Sequence, residues 1–239
     1  MAGRRAVLTT LIASTIVAVA APAAGAAGPS TVASWAMDEG RGARVMRDGS
    51  GHGINGSIGN EVHTGTVVNG STGYRFDRLQ PDEPPPHPGH LVTVPDNPAL
   101  DPGNRDYQVT LRLRTTHHFG NIIQKGQATV AGGNFKLQIP NGRVQCLFRG
   151  SRGTLMVTAK RSINDGAWHT VQCERAPDAV ILRIDGAVES RANGWTGTIA
   201  NSWPVSIGGK TNCDQIDVGC DYFAGDLDYV TVEVDDHAW

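Results

Sequence analysis

Two stretches of strict alternation, joined by a proline turn, constrain this chain most. In the first, His169, Val171 and Cys173 fall on one side, and Trp168, Thr170, Gln172 and Glu174 on the other. In the second, Val180, Leu182 and Ile184 alternate with Ile181, Arg183 and Asp185. A period of two with β-branched residues describes a strand with one buried face. Ala176-Pro177-Asp178 lies between them, with Pro presetting φ for a turn. Asp185-Gly186 predicts a second tight turn before Ala187-Val188.

The same alternation recurs along the chain. Thr31 to Met37 reads as a first strand with Ala33, Trp35 and Met37 on one face. Tyr107 to Thr116 places Tyr107, Val109, Leu111 and Leu113 opposite Gln108, Thr110, Arg112 and Arg114. That polar face is either solvated, as antiparallel sheets allow, or the lining of a groove. Further strands are expected over Tyr74–Phe76, His90–Val94, Asn121–Gln124, Asn134–Ile139, Arg143–Phe148, Thr154–Thr158, Thr196–Ile199, Val205–Gly209 and Phe223–Val232. Asn141-Gly142 is a hairpin signal, and Gln80 to Pro88 is too proline-rich for a central strand. Regular short strands separated by turns predict an all-β antiparallel sandwich with almost no helix.

Three segments resemble the laminin G-like (concanavalin A-like lectin/glucanase) jelly rolls, of secreted bacterial type. They are Trp35-x-Met37-Asp38-Glu39-Gly40 with Asp48-x-Ser50-Gly51-x-Gly53, the Asp165-Gly166-x-Trp168-His169-x-Val171 strand, and the closing Gly225-x-Leu227-Asp228-x-Val230. The resemblance spans about residues 31–233 and implies a two-sheet jelly-roll sandwich forming one domain over 27–239. The architecture serves lectins, glycosidases and adhesion modules alike, so function needs a separate argument.

Arg4-Arg5, an apolar run from Ala6 to Ala21 and Ala24-Gly25-Ala26 predict a secretory signal peptide over residues 1–26. The formal net charge of −2 becomes more negative once Arg4 and Arg5 are removed. With no basic stripe among aromatics, nucleic acid is not an expected partner. No later stretch has membrane-spanning length, so no membrane span is expected after signal removal.

Cys146, Cys173, Cys213 and Cys220 form an even set in an exported chain, which favours disulfides. No Cys-x-x-Cys spacing supports zinc. Cys146 shares a face with Val144, and Cys173 with Val171, which favours Cys146–Cys173. Cys213–Cys220 would then close a short loop. Four cysteines allow three connectivities, so Cys146–Cys213 and Cys146–Cys220 stay open.

Retaining glycosidases need two carboxyls about 5–5.5 Å apart. Asp226 and Asp228 are the one comparable pair within a strand, and they match the family's closing strand, where Asp is structural. Ser50 lacks a nucleophile-elbow context and reads as a turn serine. His117-His118 and His87-x-x-His90 read as solvated histidines. The expectation is a secreted, non-catalytic domain binding a glycan or an extracellular protein, with Trp195, Trp203 and Tyr222 as candidate ligand contacts. The alternatives are a glycoside hydrolase or polysaccharide lyase with an atypical acid pair, and a structural envelope or matrix protein. The resemblance also implies a structural calcium ion at Asp38 and Asp228, whose hard charge would take oxygen ligands.

Overall fold

The computed structural model describes Gly3 and residues 28–79, 87–212 and 220–238. The expected leader, the proline-rich loop at 80–86 and Cys213 lie outside the described residues. Among the described residues there are sixteen strands. They begin with β1 (Ser30–Trp35), β2 (Val45–Met46), β3 (Gly56–Ile58), β4 (Val62–Val68), β5 (Ser71–Phe76) and β6 (Val92–Val94). The middle of the chain gives β7 (Arg105–Arg114), β8 (Gly120–Lys125), β9 (Asn134–Ile139), β10 (Gln145–Gly150) and β11 (Gly153–Thr158). The last five are β12 (Trp168–Ala176), β13 (Ala179–Ile184), β14 (Ala187–Asn193), β15 (Val205–Ile207) and β16 (Gly225–Ala238).

One sheet runs β14-β13-β12-β7-β16-β5-β4, with β1 also paired to β16, and the other runs β11-β10-β9-β8-β15-β6-β3-β2. All strand pairings are antiparallel. This is the jelly-roll sandwich. The helical content of the described residues is two single turns, Pro88–His90 and Pro98–Leu100.

The core is made of the inward positions of the alternating strands. Tyr107, Val109, Leu111 and Leu113 of β7 meet Phe135, Leu137 and Ile139 of β9 across the sandwich, all at most 1% exposed. Ala33, Trp35 and Met37 are fully buried, as the alternation requires. A disulfide joins Cys146 of β10 to Cys173 of β12, tying the two sheets through the core with a Cα separation of 5.9 Å. Cys220 is also disulfide-bonded.

Turn chemistry behaves as expected where it is local. Asp185 and Gly186 take φ of 52° and 79° and join Ile184 to Ala187 across a two-residue hairpin. Asn141 and Gly142 are both left-handed as well.

Several expectations need correction. Thr196–Ile199 is not a strand; its one ladder contact is an isolated bridge from Ile199 to Gly103. Its backbone serves Arg175, which is 1% exposed and donates to the carbonyls of Gly197, Gly103 and Arg105. His90 sits in a single helical turn rather than a strand, because Pro88 starts that turn. It is also fully buried rather than solvated.

Candidate functional site

Two candidate constellations have their groups already committed. Asp226 is flanked by Arg75 on β5 and Arg114 on β7 as cross-strand partners. Each guanidinium donates to one of its carboxylate oxygens at 2.8 Å. Asp228 accepts from Arg112 at 2.6 Å. Both carboxylates are thus engaged in ion pairs with arginines of neighbouring strands. The pair therefore has the surroundings of a structural ladder. Ser50 Oγ donates to Asp48 Oδ2 at 2.8 Å and lies 3.0 Å from His52 Nδ1. Asp48 also accepts from the amides of Ser34, Ser50 and Ile54. Burial alone would push its carboxyl up, but these hydrogen bonds outweigh that and hold it below the ordinary value. The carboxylate binds the serine directly and not the histidine, so this is a turn and not a nucleophile relay.

Nor do the residues at the expected calcium site fit a cation as they stand. Asp38 is exposed, and the Asp228 carboxylate is taken by Arg112. Among the described residues, no three His, Cys, Asp or Glu side chains gather as metal ligands.

The three candidate aromatics each have separate neighbours. Trp195 is 45% exposed and lies under the Arg152 guanidinium at 4.6 Å. Trp203 is half-buried in the turn after Asn201, whose Oδ1 accepts from its amide. Tyr222 is 5% exposed, packs edge-on to His90 at 5.1 Å and accepts at its hydroxyl from the His87 amide. None of the three lines the cleft that follows.

That cleft lies on the outer face of the second sheet and encloses about 330 Å³. It is built by the side of β9 and β10 that turns away from the core. Phe135, Leu137, Cys146 and Phe148 point inward, so Lys136, Gln138, Leu147 and Arg149 point out. Phe119, Gln124 and Asn134 complete the wall, and Lys210 and Asp221 close one end.

The closed end depends on a tight crossing. Gly120 opens β8 at φ 155°, and a Cβ there would come within 2.8 Å of the Phe223 backbone. That approach lets the Asn121 amide donate to the Asp221 carbonyl at 2.7 Å, in a parallel bridge between Asn121 and Tyr222. Asp221 itself is left-handed at φ 50°, a costly conformation for a residue with a side chain, and one often kept at functional sites. Its Oδ2 accepts from Lys210 at 2.9 Å, while Oδ1 is buried with no hydrogen-bond partner among the described residues. Asn121 Oδ1 is buried and unpartnered too, although its amide nitrogen donates to Gln124 Oε1 and the Gly209 carbonyl. Arg149 is braced by Asn134 Oδ1 at 2.8 Å and by the carbonyls of Gln127 and Val130.

The cleft thus presents fixed amide, guanidinium and ammonium groups beside the apolar surfaces of Phe119 and Leu147. Among the described lining residues Asp221 is the sole carboxylate, and it is paired. The alternation of β9 and β10 was available to signal their outward polar residues. Lys210 and Asp221 carried no such signal, because a loop crossing brings them to β8.

The Laminin G domain family model matches residues 113–234, just over half of the chain, from within β7 to within β16. Laminin subunit alpha-1 from Mus musculus is 31% identical over 45% of this chain, and the match spans about 4% of that protein's length. Among solved structures, the mouse laminin alpha1 LG4-5 domains align at 20% identity with a TM-score of 0.50, covering 61% of this chain and 40% of that one. Domain 4 of AbnA, a GH43 extracellular arabinanase from Geobacillus stearothermophilus, aligns at 15% identity with a TM-score of 0.60 over 87% and 93%. The botulinum neurotoxin serotype D binding domain aligns at 13% with a TM-score of 0.57 over 86% and 46%. These likenesses show a shared fold, and the family match places this chain in the laminin G domain family.

Proposed function

We propose that the protein is an exported, non-catalytic binding module that holds a short oligosaccharide in the cleft on the outer face of its second sheet. The observation that carries this is the buried Lys210–Asp221 pair at the cleft's end, with Asp221 Oδ1 unpartnered. A buried acceptor without a donor costs free energy, and a sugar hydroxyl supplies the missing donor. Lys136, Gln138 and Arg149 give the wall its polar lining, and Phe119 offers an apolar face to a sugar ring. The AbnA domain, solved with arabinotriose, shows that a domain of this fold carries such a ligand. The leader and the inter-sheet disulfide support export. Glycoside cleavage would need a second carboxyl facing the first, and the described lining residues supply one, already paired.

The test is calorimetric titration of residues 27–239 with neutral arabino-, xylo-, gluco- and manno-oligosaccharides, with reducing ends assayed in the same samples. Saturable binding without new reducing ends is the expected result, weakened about tenfold in Phe119→Ala/Lys136→Ala, the loss of roughly one good contact. Cleavage, or binding untouched by that variant, would remove the reading.

A second reading, docking of an extracellular protein, rests on the exposed apolar residues Met156, Val188 and Trp195. It predicts that Trp195→Ala weakens capture of a protein partner and leaves sugar binding unchanged.

A further inference from the structure

The cleft of the second sheet is walled at one end. Ser206 on β15 and Gln124 on β8 are cross-strand neighbours, and Gln124 in turn pairs with the outward Lys136 on β9. Outward polar residues of an antiparallel sheet are ordinarily solvated. Here Ser206 and Gln124 are only 0% and 2% exposed. The backbone on either side of the loop after β15 folds back over them. The Lys210 amide donates to the Cys220 carbonyl at 3.0 Å, and the Phe223 amide to the Gly208 carbonyl at 3.0 Å. Side chains of the sheet fasten this loop base down. Ser206 Oγ donates to the Gly209 carbonyl at 2.8 Å, and Asn121 Nδ2 donates to the same oxygen at 3.1 Å. Lys210 and Asp221 are thereby fixed as an end wall across the cleft.

The opposite end has no such wall among the described residues. There the sheet ends at β11, its edge strand. Thr154 of β11 lines the cleft and is exposed. Met156 is 50% exposed and stands directly across the β10–β11 ladder from Leu147, on the same outward side. The apolar surface that begins at Leu147 therefore continues over the sheet edge into solvent.

The geometry points to recognition of a glycan by its chain end: the terminal sugar unit abuts Asp221, and the rest of the chain leaves over Thr154 and Met156. This rests on the reading of the cleft as an oligosaccharide site. An internal unit of a polymer has chain on both sides, and the Lys210–Asp221 wall leaves room on one side only. A terminal unit carries a free hydroxyl where an internal unit carries a linkage. That hydroxyl is the donor that the buried Asp221 Oδ1 lacks. Met156 gives the departing chain a soft, adaptable apolar surface, which tolerates units of different shape. Specificity thus concentrates at the walled end and relaxes toward β11.

The experiment titrates the folded protein with short and long members of the neutral arabino-, xylo-, gluco- and manno-oligosaccharide series, and with the linear polymer of the series that binds. The amount of protein bound per polymer chain stays the same as the chain lengthens. Two end-modified forms of the binding oligosaccharide are compared, one with its reducing unit opened by borohydride and one with a methyl ether on the non-reducing terminal hydroxyl. One of them binds about tenfold or more weakly, and it identifies the end that meets Asp221. Met156→Ala, at an exposed position, costs the longer members about threefold in affinity and leaves the shortest unchanged. If no neutral oligosaccharide binds, the cleft reading falls and this inference with it. If they bind, the cleft reading stands, and end recognition is overturned by any of three results: bound protein that rises in proportion to polymer length, full affinity for both end-modified forms, or a Met156→Ala loss shared equally by the shortest member.

Discussion

Lys210 meets Asp221 at 2.9 Å with the two side chains 6% and 8% exposed. A charge pair this deep is held by its own geometry, because neither partner has ready recourse to water. Removing the Asp221 charge takes one partner from a deep ammonium and leaves it less well compensated. Asp221→Asn is expected to destabilise the fold by about 3 kcal/mol in urea unfolding and to abolish oligosaccharide binding. Lys210→Met/Asp221→Leu, which removes both charges, should recover much of the stability and none of the binding. A stable Asp221→Asn that binds as wild type would show that the pair is incidental.

The Cys146–Cys173 bridge closes a span of 27 residues between the sheets. Chain-entropy reasoning gives about 3–4 kcal/mol for a loop of that length. The double variant Cys146→Ala/Cys173→Ala should lose roughly this much in denaturant melts. Non-reducing peptide mapping should return the Cys146–Cys173 peptide.

His90 is fully buried, with Nε2 against the Phe223 carbonyl and Nδ1 unpartnered. Burial pushes its pKa below the ordinary histidine value of 6.5, in spite of the Phe223 carbonyl. The neutral ring is thus the form the fold keeps. Its contribution to stability is complete above the unfolded pKa and declines as pH falls below about 6.5 toward the lowered folded value. Melting temperature against pH should drop over that window in wild type and flatten in His90→Gln. An unchanged slope in the variant would assign the acid sensitivity elsewhere.

Asp226→Asn separates a structural carboxylate from a catalytic one. With Arg75 and Arg114 both losing their acceptor charge, we expect about 2–3 kcal/mol of destabilisation. Oligosaccharide binding in the cleft should persist. A hydrolytic activity present in wild type and lost in this variant would reinstate the acid pair.

Added calcium or excess chelator should leave the wild-type melting midpoint unchanged, since Arg112 occupies the Asp228 carboxylate. A midpoint that rises with calcium concentration, and no longer does so in Asp38→Asn, would contradict this.

What the sequence disclosed follows the range of the interactions. β9 is found over Asn134–Ile139 as expected, and the β12–β13 hairpin and its Asp185-Gly186 turn likewise, because alternation and turn residues are local signals. β4 escaped notice because Gly65 breaks its alternation with a bulge. β14 did so because its Ala187–Asn193 stretch has no buried face. The aromatic candidates differ in their surroundings because proximity to a turn does not decide burial. Tyr222 turns inward against His90, while its neighbour Asp221 faces the cleft. The site's closing residues come from three distant segments around Asn121, Lys210 and Asp221, and only the folded crossing at Gly120 joins them.

The central claim is tested most directly by amide correlation spectra of the isotope-labelled domain, recorded while a binding oligosaccharide is titrated in. The account predicts saturable shifts confined to β8–β10, Phe119, Lys210 and Asp221, with the ligand intact at the end. Shifts centred on Asp226 and Asp228, or spread over the first sheet with the cleft silent, would contradict it.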